Sequence, residues 1–214
     1  MPGPSPSRKP SPSSVADADG LTDAEVRHED WGGDELGQTT YTRVLFVEVD
    51  LTEAVTDGTV FDGCTFRGVR FNVSEHRSSA FVNCTFSRCS FFDASFTGCK
   101  LVGSRFEACA LDLLRVSGGD WSFVSLRGAD LGRASFEGVR LREADLGGAS
   151  AVNGTLTGLD LSGAVLDRAD LSGCDLRGTD LSAVDPATTL LRGAVITVEQ
   201  AVTLALVRGL DVRP

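Results

Sequence analysis

Large apolar residues recur at every fifth position along most of the chain. Between residues 61 and 181, every position of this series holds a bulky apolar residue except His76 and Ala151. A strict period of five is neither the 3.6 of an α-helix nor the 2 of a β-strand, so it predicts a chain that turns a corner every five residues. The series is clearest at Phe61, Phe66, Phe71, Phe81, Phe86, Phe91, Phe96, Leu161, Leu166, Leu171, Leu176 and Leu181.

A second series, two residues before the first, is built from small side chains. All six cysteines belong to it, together with many alanines. Because a free cysteine behaves as a small buried apolar residue, we interpret the cysteines as reduced core residues and not as a disulfide framework or a zinc site. They are Cys64, Cys84, Cys89, Cys99, Cys109 and Cys174.

Several repeats resemble the A-(D/N)-L-x-x motif of the pentapeptide-repeat family: ADLGR, ADLGG, LDLSG, ADLSG, CDLRG and TDLSA. The resemblance implies an all-β fold, a right-handed quadrilateral β-helix with 20 residues per coil, followed here by a short C-terminal α-helix. Both series then point inward. Neighbouring coils lie about 4.8 Å apart, so residues 39–193 predict a rod roughly 35 Å long.

The chain divides into three predicted segments. Residues 1–38 are an acidic extension, disordered or weakly ordered, although 21–38 with Val26, Trp31 and Leu36 also suit a short helix or a cap strand. Residues 39–196 form the β-helix. Residues 197–214 begin with a capping box at Thr197 to Gln200 and predict a helix and tail.

The terminal helix has an apolar surface that needs a cover. It either caps the last coil or forms a symmetric dimer contact, and we favour the dimer because that contact also shields an open strand edge. The candidate interface residues are Val198, Ala201, Val202, Ala205 and Leu206.

The chain is acidic, with a formal net charge of −10. This charge disfavours direct nucleic-acid binding and anionic membranes, and it favours a basic partner. The chain lacks both an apolar stretch long enough to span a bilayer and a signal-peptide core, so we predict a cytoplasmic protein with no membrane association.

Aspartates often precede the large residue of the repeat, and residues 20 apart are expected to stack on one face. Any single aspartate is explained by a bond to the local backbone at the corner, but together they predict a negative rod. The candidate partner-binding residues are Asp120, Asp130, Asp145, Asp160, Asp170, Asp175 and Asp180.

Catalytic chemistry has little support in the sequence. Only His28 and His76 are histidines, and no nucleophile–base or phosphate-binding motif is present. We interpret His76 as an inward residue of the ladder with satisfied nitrogens, or as the site of a local bulge near one end. The prediction is a protein that is not an enzyme, with no catalytic, metal or cofactor-binding residues and no cofactor.

Further segments resemble the fluoroquinolone-resistance members of the family, mycobacterial and Qnr-type. These are SEHRSSAFVNCTF from Ser74, the ladder breaks at Thr56 and His76, VDP before residue 187, and VEQAV in the terminal helix. The resemblance implies a dimer, joined through its C-terminal ends, that mimics DNA and binds DNA gyrase, modulating supercoiling and drug inhibition. The alternative is a scaffold for a different protein partner. The segment 1–38 has no counterpart in that group.

Overall fold

A computed structural model describes residues 20–213, which wind into a parallel β-helix with four faces. Each five-residue repeat crosses one face, and residues 20 apart pair in register in successive coils. Phe61 pairs with Phe81 on one face, and Phe66 pairs with Phe86 on the next. The predicted β-helical fold with a short terminal helix is confirmed.

Three of the four faces carry regular parallel sheets. Face 1, which contains Tyr41 and Phe61, is formed by β1 (Leu21–Thr22), β4 (Thr40–Thr42), β7 (Val60–Asp62) and β10 (Ala80–Val82). Face 2, which contains Phe46 and Phe66, is formed by β2 (Glu25–Arg27), β5 (Leu45–Val47), β8 (Thr65–Arg67), β11 (Thr85–Ser87) and β13 (Arg105–Glu107).

The longest sheet is on face 4, the face of Thr56 and His76. It is formed by β3 (Glu35–Leu36), β6 (Val55–Asp57), β9 (Glu75–Arg77), β12 (Ser95–Thr97), β14 (Arg115–Ser117), β15 (Ser135–Glu137) and β16 (Thr155–Thr157). Face 3, which contains Leu51 and Phe71, is held by turns and isolated bridges such as the one between Asp130 and Ser150.

Stacked side chains fill the interior. Aromatic rings in successive coils lie face to face, with centroids 4.8 Å apart for Phe46 and Phe66 and 4.7 Å apart for Phe71 and Phe91. Burial of each ring contributes about 1.5–3 kcal/mol, and each stacked pair adds about 0.5–1.5 kcal/mol. The aromatic ladder therefore supplies cohesion from Trp31 to Phe136, and buried leucines fill the coils beyond it.

The corners explain the glycines of the repeat. The second residue after the large one adopts a positive φ, as in Gly138 at 62° and Asn153 at 58°. Glycine reaches this region without a Cβ penalty, and asparagine tolerates it better than most residues. Val73 is forced into the same conformation, with φ of 58°, by the coils on either side.

The β-helix begins one coil earlier than the sequence predicted. Residues 20–38 form a complete first coil in which Val26, Trp31 and Leu36 point inward and are buried. The boundary at residue 39 was wrong because Glu29 and Asp34 occupy positions where later repeats have small residues, which hid the period. The rest of the predicted extension, residues 1–19, lies outside the described residues.

The terminal helix α1 (Val198–Val207) is tied to the last coils by Gln200. Thr197 caps the helix as predicted, with the reciprocal bonds of a capping box. The Gln200 side-chain amide donates to the carbonyl oxygens of Leu176 at 2.6 Å and Thr179 at 2.7 Å. The helix therefore satisfies backbone groups at the end of the solenoid. No helix within residues 20–213 is long and apolar enough to cross a bilayer.

The buried His76 interrupts the aromatic ladder and is hydrogen-bonded at both ring nitrogens. Its Nδ1 lies 2.9 Å from the Thr56 hydroxyl and its Nε2 lies 2.9 Å from the Ser74 hydroxyl. Ser74 donates to the Phe71 carbonyl, which leaves its oxygen to accept from Nε2. These contacts satisfy a neutral ring, and burial lowers the pKa of His76 from 6.5 to about 3.

We expect His76 to make stability depend on pH. Its folded pKa lies below its unfolded value, so the unfolded chain binds one more proton between pH 6.5 and about 3. Stability should therefore fall as the pH drops below 6.5, by up to about 1.4 kcal/mol per pH unit. His76→Phe should remove this slope.

Urea unfolding of the native chain and of His76→Phe between pH 7 and pH 5 measures the slope. In this range aspartates with lowered pKa, such as Asp50 at about 2, contribute little to the change. Equal pH slopes for the two proteins would contradict the assignment, whatever the difference in their absolute stability.

Candidate protein-interaction surfaces

The seven predicted aspartates lie on the outside of the rod, each just before an inward residue. Three are on face 1, at Asp120, Asp160 and Asp180; Asp130 and Asp170 are on face 3; Asp145 is on face 2 and Asp175 on face 4. The bridges from residue 130 to 150 and from 150 to 170 confirm the stacking by 20 residues.

Every one of these aspartates bonds to the local backbone at its corner. The Oδ1 atom accepts from the backbone N–H two residues later, at 3.0 Å for Asp130 and Gly132 and at 2.9 Å for Asp180 and Ser182. The other five make the same contact. The residue type is thus explained by corner geometry, while Oδ2 faces away from this contact.

Four of the seven aspartates form ion pairs with arginines. The partners lie 3.0 Å apart for Asp120 and Arg140, and 2.6 Å apart for Asp175 and Arg177. The other two pairs are Arg142–Asp160 at 2.5 Å and Arg127–Asp145 at 3.4 Å. The expected unbroken rows of negative charge are therefore interrupted by cations, most clearly on face 1, where Arg140 lies between Asp120 and Asp160.

The remaining three aspartates keep their charge uncompensated. Within residues 20–213, no lysine or arginine nitrogen lies within 4.0 Å of Asp130, Asp170 or Asp180. The hydrogen bonds from the Ser172 side chain and backbone lower the pKa of Asp170. It is ionised at neutral pH and available to a cation from outside.

Charge is distributed unevenly among the faces. Face 2 is balanced, with six acidic and six basic outward residues: Glu25, Glu48, Glu107, Asp145, Asp167, Asp185, Arg27, Arg67, Arg88, Arg105, Arg127 and Arg168. Face 3 has eight acidic against three basic outward residues: Glu29, Asp30, Asp50, Glu53, Asp93, Asp112, Asp130, Asp170, Arg70, Arg133 and Arg192. Face 3 is the most negative side of the rod.

The second candidate surface is apolar and lies at the C-terminal end. Val198 is 79% exposed and Leu206 is 57% exposed, while Gln200 and Leu204 of the same helix face the β-helix. Of the other predicted interface residues, Ala201 and Val202 are exposed and Ala205 is partly exposed. Five other apolar residues in the C-terminal part of the chain are also exposed, namely Leu190, Val195, Val207, Leu210 and Val212.

The grooves on the rod are open and shallow. The largest described one, about 620 Å³, runs beside Gly98 and Gly138 and is lined by Lys100, Asp120 and Arg140. The fully buried His76 contacts hydroxyls inside the core and does not reach any of these grooves. The outer faces and the C-terminal patch are thus the surfaces that suit macromolecular contacts.

Two features escaped the sequence reading. The interleaved cations are visible in the sequence at the 20-residue spacing, because Lys100 and Arg140 share a row with Asp120. The anchoring role of Gln200 is not visible, because it depends on where the helix meets the end of the β-helix.

The sequence profile of pentapeptide repeats matches eight copies, at residues 77–107, 122–158 and 151–182. No curated protein sequence matches the chain. Among solved structures, a trypsin-treated variant of QnrB1, a plasmid-mediated fluoroquinolone resistance protein, has a TM-score of 0.68 and 21% identity over 92% of this chain and 98% of its own.

HetL, a pentapeptide-repeat protein involved in heterocyst differentiation regulation in the cyanobacterium Nostoc, has a TM-score of 0.63 and 24% identity over 82% of this chain and 84% of its own. At identities this low, the structural similarity establishes a shared fold and nothing more. The matched repeats, the five-residue ladder and the four-sided parallel β-helix show that the chain belongs to the pentapeptide-repeat family.

Proposed function

We propose that the protein binds DNA gyrase in place of DNA and so modulates supercoiling and inhibition by fluoroquinolone-type drugs. The observation that carries the proposal is the acidic face 3, on which Asp130 and Asp170 present carboxylates without a cationic partner among the described residues. A basic DNA-binding surface attracts such a face. Salt screens the attraction between exposed charges, so the attraction weakens at high ionic strength.

The dimensions of the rod suit this role. Residues 21–196 make about nine coils and a length of roughly 42 Å, at about 4.8 Å per coil. Duplex DNA rises about 3.4 Å per base pair, so one protomer matches roughly 12 base pairs. The first coil, which the sequence reading left out, adds to this length.

Similarity to fluoroquinolone-resistance proteins also supports the gyrase-binding proposal. The segments around Ser74 and in the terminal helix resemble the mycobacterial fluoroquinolone-resistance protein MfpA, and QnrB1 shares the fold. Two copies joined through the C-terminal patch would double the length of the acidic rod. The patch is a suitable interface because Val198, Val202 and Leu206 are exposed on helix α1. Gln200 anchors the same helix to the β-helix.

A scaffold for a different protein partner is the second candidate function. HetL has the same fold and a role in heterocyst differentiation regulation, so this fold serves more than one purpose. The ion-paired aspartates of face 1 also weaken a simple picture of an all-negative rod. Affinity capture from a bacterial lysate separates the two candidates: recovery of both gyrase subunits supports the first, and their absence supports the second.

We expect the double substitution Asp130→Asn and Asp170→Asn to weaken inhibition of gyrase supercoiling. Asparagine keeps the side-chain acceptor that bonds the corner N–H, so the change removes charge and preserves the turn. Losing two steering charges should raise the half-inhibitory concentration by about 3- to 10-fold at low salt, with a smaller effect at high salt.

The matched control is Asp120→Asn with Asp160→Asn on face 1, which changes the net charge equally. These two carboxylates already bond Arg140 and Arg142, so inhibition should change less. Equal effects of the two double variants would show that only overall charge matters. Unchanged inhibition by the face 3 variant would refute the assignment of this face.

We expect the native chain to be a dimer and Val202→Asp with Leu206→Asp to be monomeric. Burying an aliphatic side chain at an interface is worth about 1.5–3 kcal/mol, and a buried unpaired carboxylate adds a further cost. Val73→Asp is the control. Val73 is about as exposed as Val202, at 43% against 38%, but it lies on the side of the rod and outside the proposed interface.

Sedimentation equilibrium measures the mass of each protein. The 22.5 kDa chain should sediment at twice that mass in the native and Val73→Asp forms. A monomeric native protein would contradict the proposed interface.

A further inference from the structure

Two pairs of cysteines occupy the same column in successive coils. Cys64 and Cys84 form one pair, and Cys89 and Cys109 form the other. Both pairs belong to the small inward series. The other two cysteines have non-thiol neighbours in their columns, with Ser79 and Gly119 on either side of Cys99 and Gly154 and Ala194 on either side of Cys174.

Cys89 and Cys109 lie close enough in adjacent coils to be joined by a disulfide. The Ala110 backbone N–H donates to the Cys89 carbonyl at 3.0 Å, and residues 90 and 110 form a parallel bridge. Successive coils lie about 4.8 Å apart, and disulfides accept Cα separations of about 4.4–6.8 Å. The thiols need only turn toward each other.

The two pairs differ in access to solvent. Cys64 and Cys84 are 1% and 0% exposed. Cys89 is 2% exposed, but Cys109 is partly exposed, and its neighbours Ala108 and Gly128 are small. A reagent in solution can therefore reach the Cys109 side chain, whereas both Cys64 and Cys84 are buried.

We propose that Cys89 and Cys109 form a redox-active dithiol, which low-molecular-weight disulfides oxidise to a cross-link between successive coils. The Cys109 thiolate attacks a disulfide such as oxidised glutathione, forms a mixed disulfide and releases one glutathione thiolate. The Cys89 sulfur then attacks the Cys109 sulfur and gives its proton to the second departing glutathione thiolate. Two protein thiols are oxidised and one glutathione disulfide is reduced to two thiols.

The thiols are arranged for these two roles. The neighbouring Cys89 sulfur lowers the pKa of Cys109, and the Cys109 sulfur, together with burial, raises the pKa of Cys89. The exposed sulfur is thus the better first nucleophile. Cys64 and Cys84 show the same pattern, so access, and not acidity, separates the two pairs.

The cross-link would replace weak bonds to the backbone. In the reduced state, the Cys89 and Cys109 thiols donate to the carbonyl oxygens of Phe66 and Phe86, each at 3.4 Å. Oxidation exchanges these contacts for a covalent link in the middle of the β-helix. We expect the oxidised protein to resist urea better than the reduced one.

The test treats the folded full-length protein with oxidised glutathione, blocks free thiols after denaturation and maps a non-reduced tryptic digest by mass spectrometry. The expected result is a fall from six to four free thiols and a cross-link between the peptides that contain Cys89 and Cys109. Cys109→Ala should keep five free thiols, and Ala129 in the next position of the column shows that alanine fits there. Cys84→Ala, a matched change in the buried pair, should still form the cross-link.

Three outcomes would overturn the proposal. Six free thiols after treatment would show that the pair does not react. A stable glutathione adduct on Cys109 without loss of the Cys89 thiol would show that the second step fails. A Cys64–Cys84 cross-link formed to the same extent would show that solvent access does not select the pair.

Discussion

In-register stacking of every residue on the residue 20 positions later is the constraint on which the rest of the molecule depends. It brings like side chains together, so that phenylalanine rings stack with centroids 4.7–5.0 Å apart and cysteines stand above cysteines. It also forces the chain through a corner every five residues, with a positive φ at one position of most repeats. Core packing, backbone conformation and surface rows thus follow from one translation along the axis.

The same translation makes the surface a set of charge columns. An aspartate just before an inward residue serves its corner in every case, so the fold alone accounts for its presence. What the fold leaves free is the residue one coil above or below. Where that residue is Arg140 the negative charge is cancelled, and where it is Ser150 the charge of Asp130 and Asp170 remains. The charge that each column presents is therefore set by neighbours along that column.

The two ends of the described rod differ in the residues that they expose. At the N-terminal end, the first described coil carries the exposed residues Glu25, Glu29 and Glu35. At the C-terminal end, Gln200 satisfies carbonyl oxygens of the last coils and helix α1 turns an apolar side outward. The described rod is therefore acidic at its first coil and exposes apolar side chains at its last element.

The sequence by itself determined the period, the inward residues and the terminal helix, because each repeat carries its own local signal and repeats reinforce one another. It also located the aspartates that meet on one face. It placed the start of the β-helix at residue 39 and not near residue 20, because Glu29 and Asp34 break the small series in the first coil. Only the tertiary structure decided that Arg127 and Arg142 pair with Asp145 and Asp160, and which cysteine of a stacked pair reaches solvent. These properties depend on side-chain directions between coils, which a five-residue pattern does not contain.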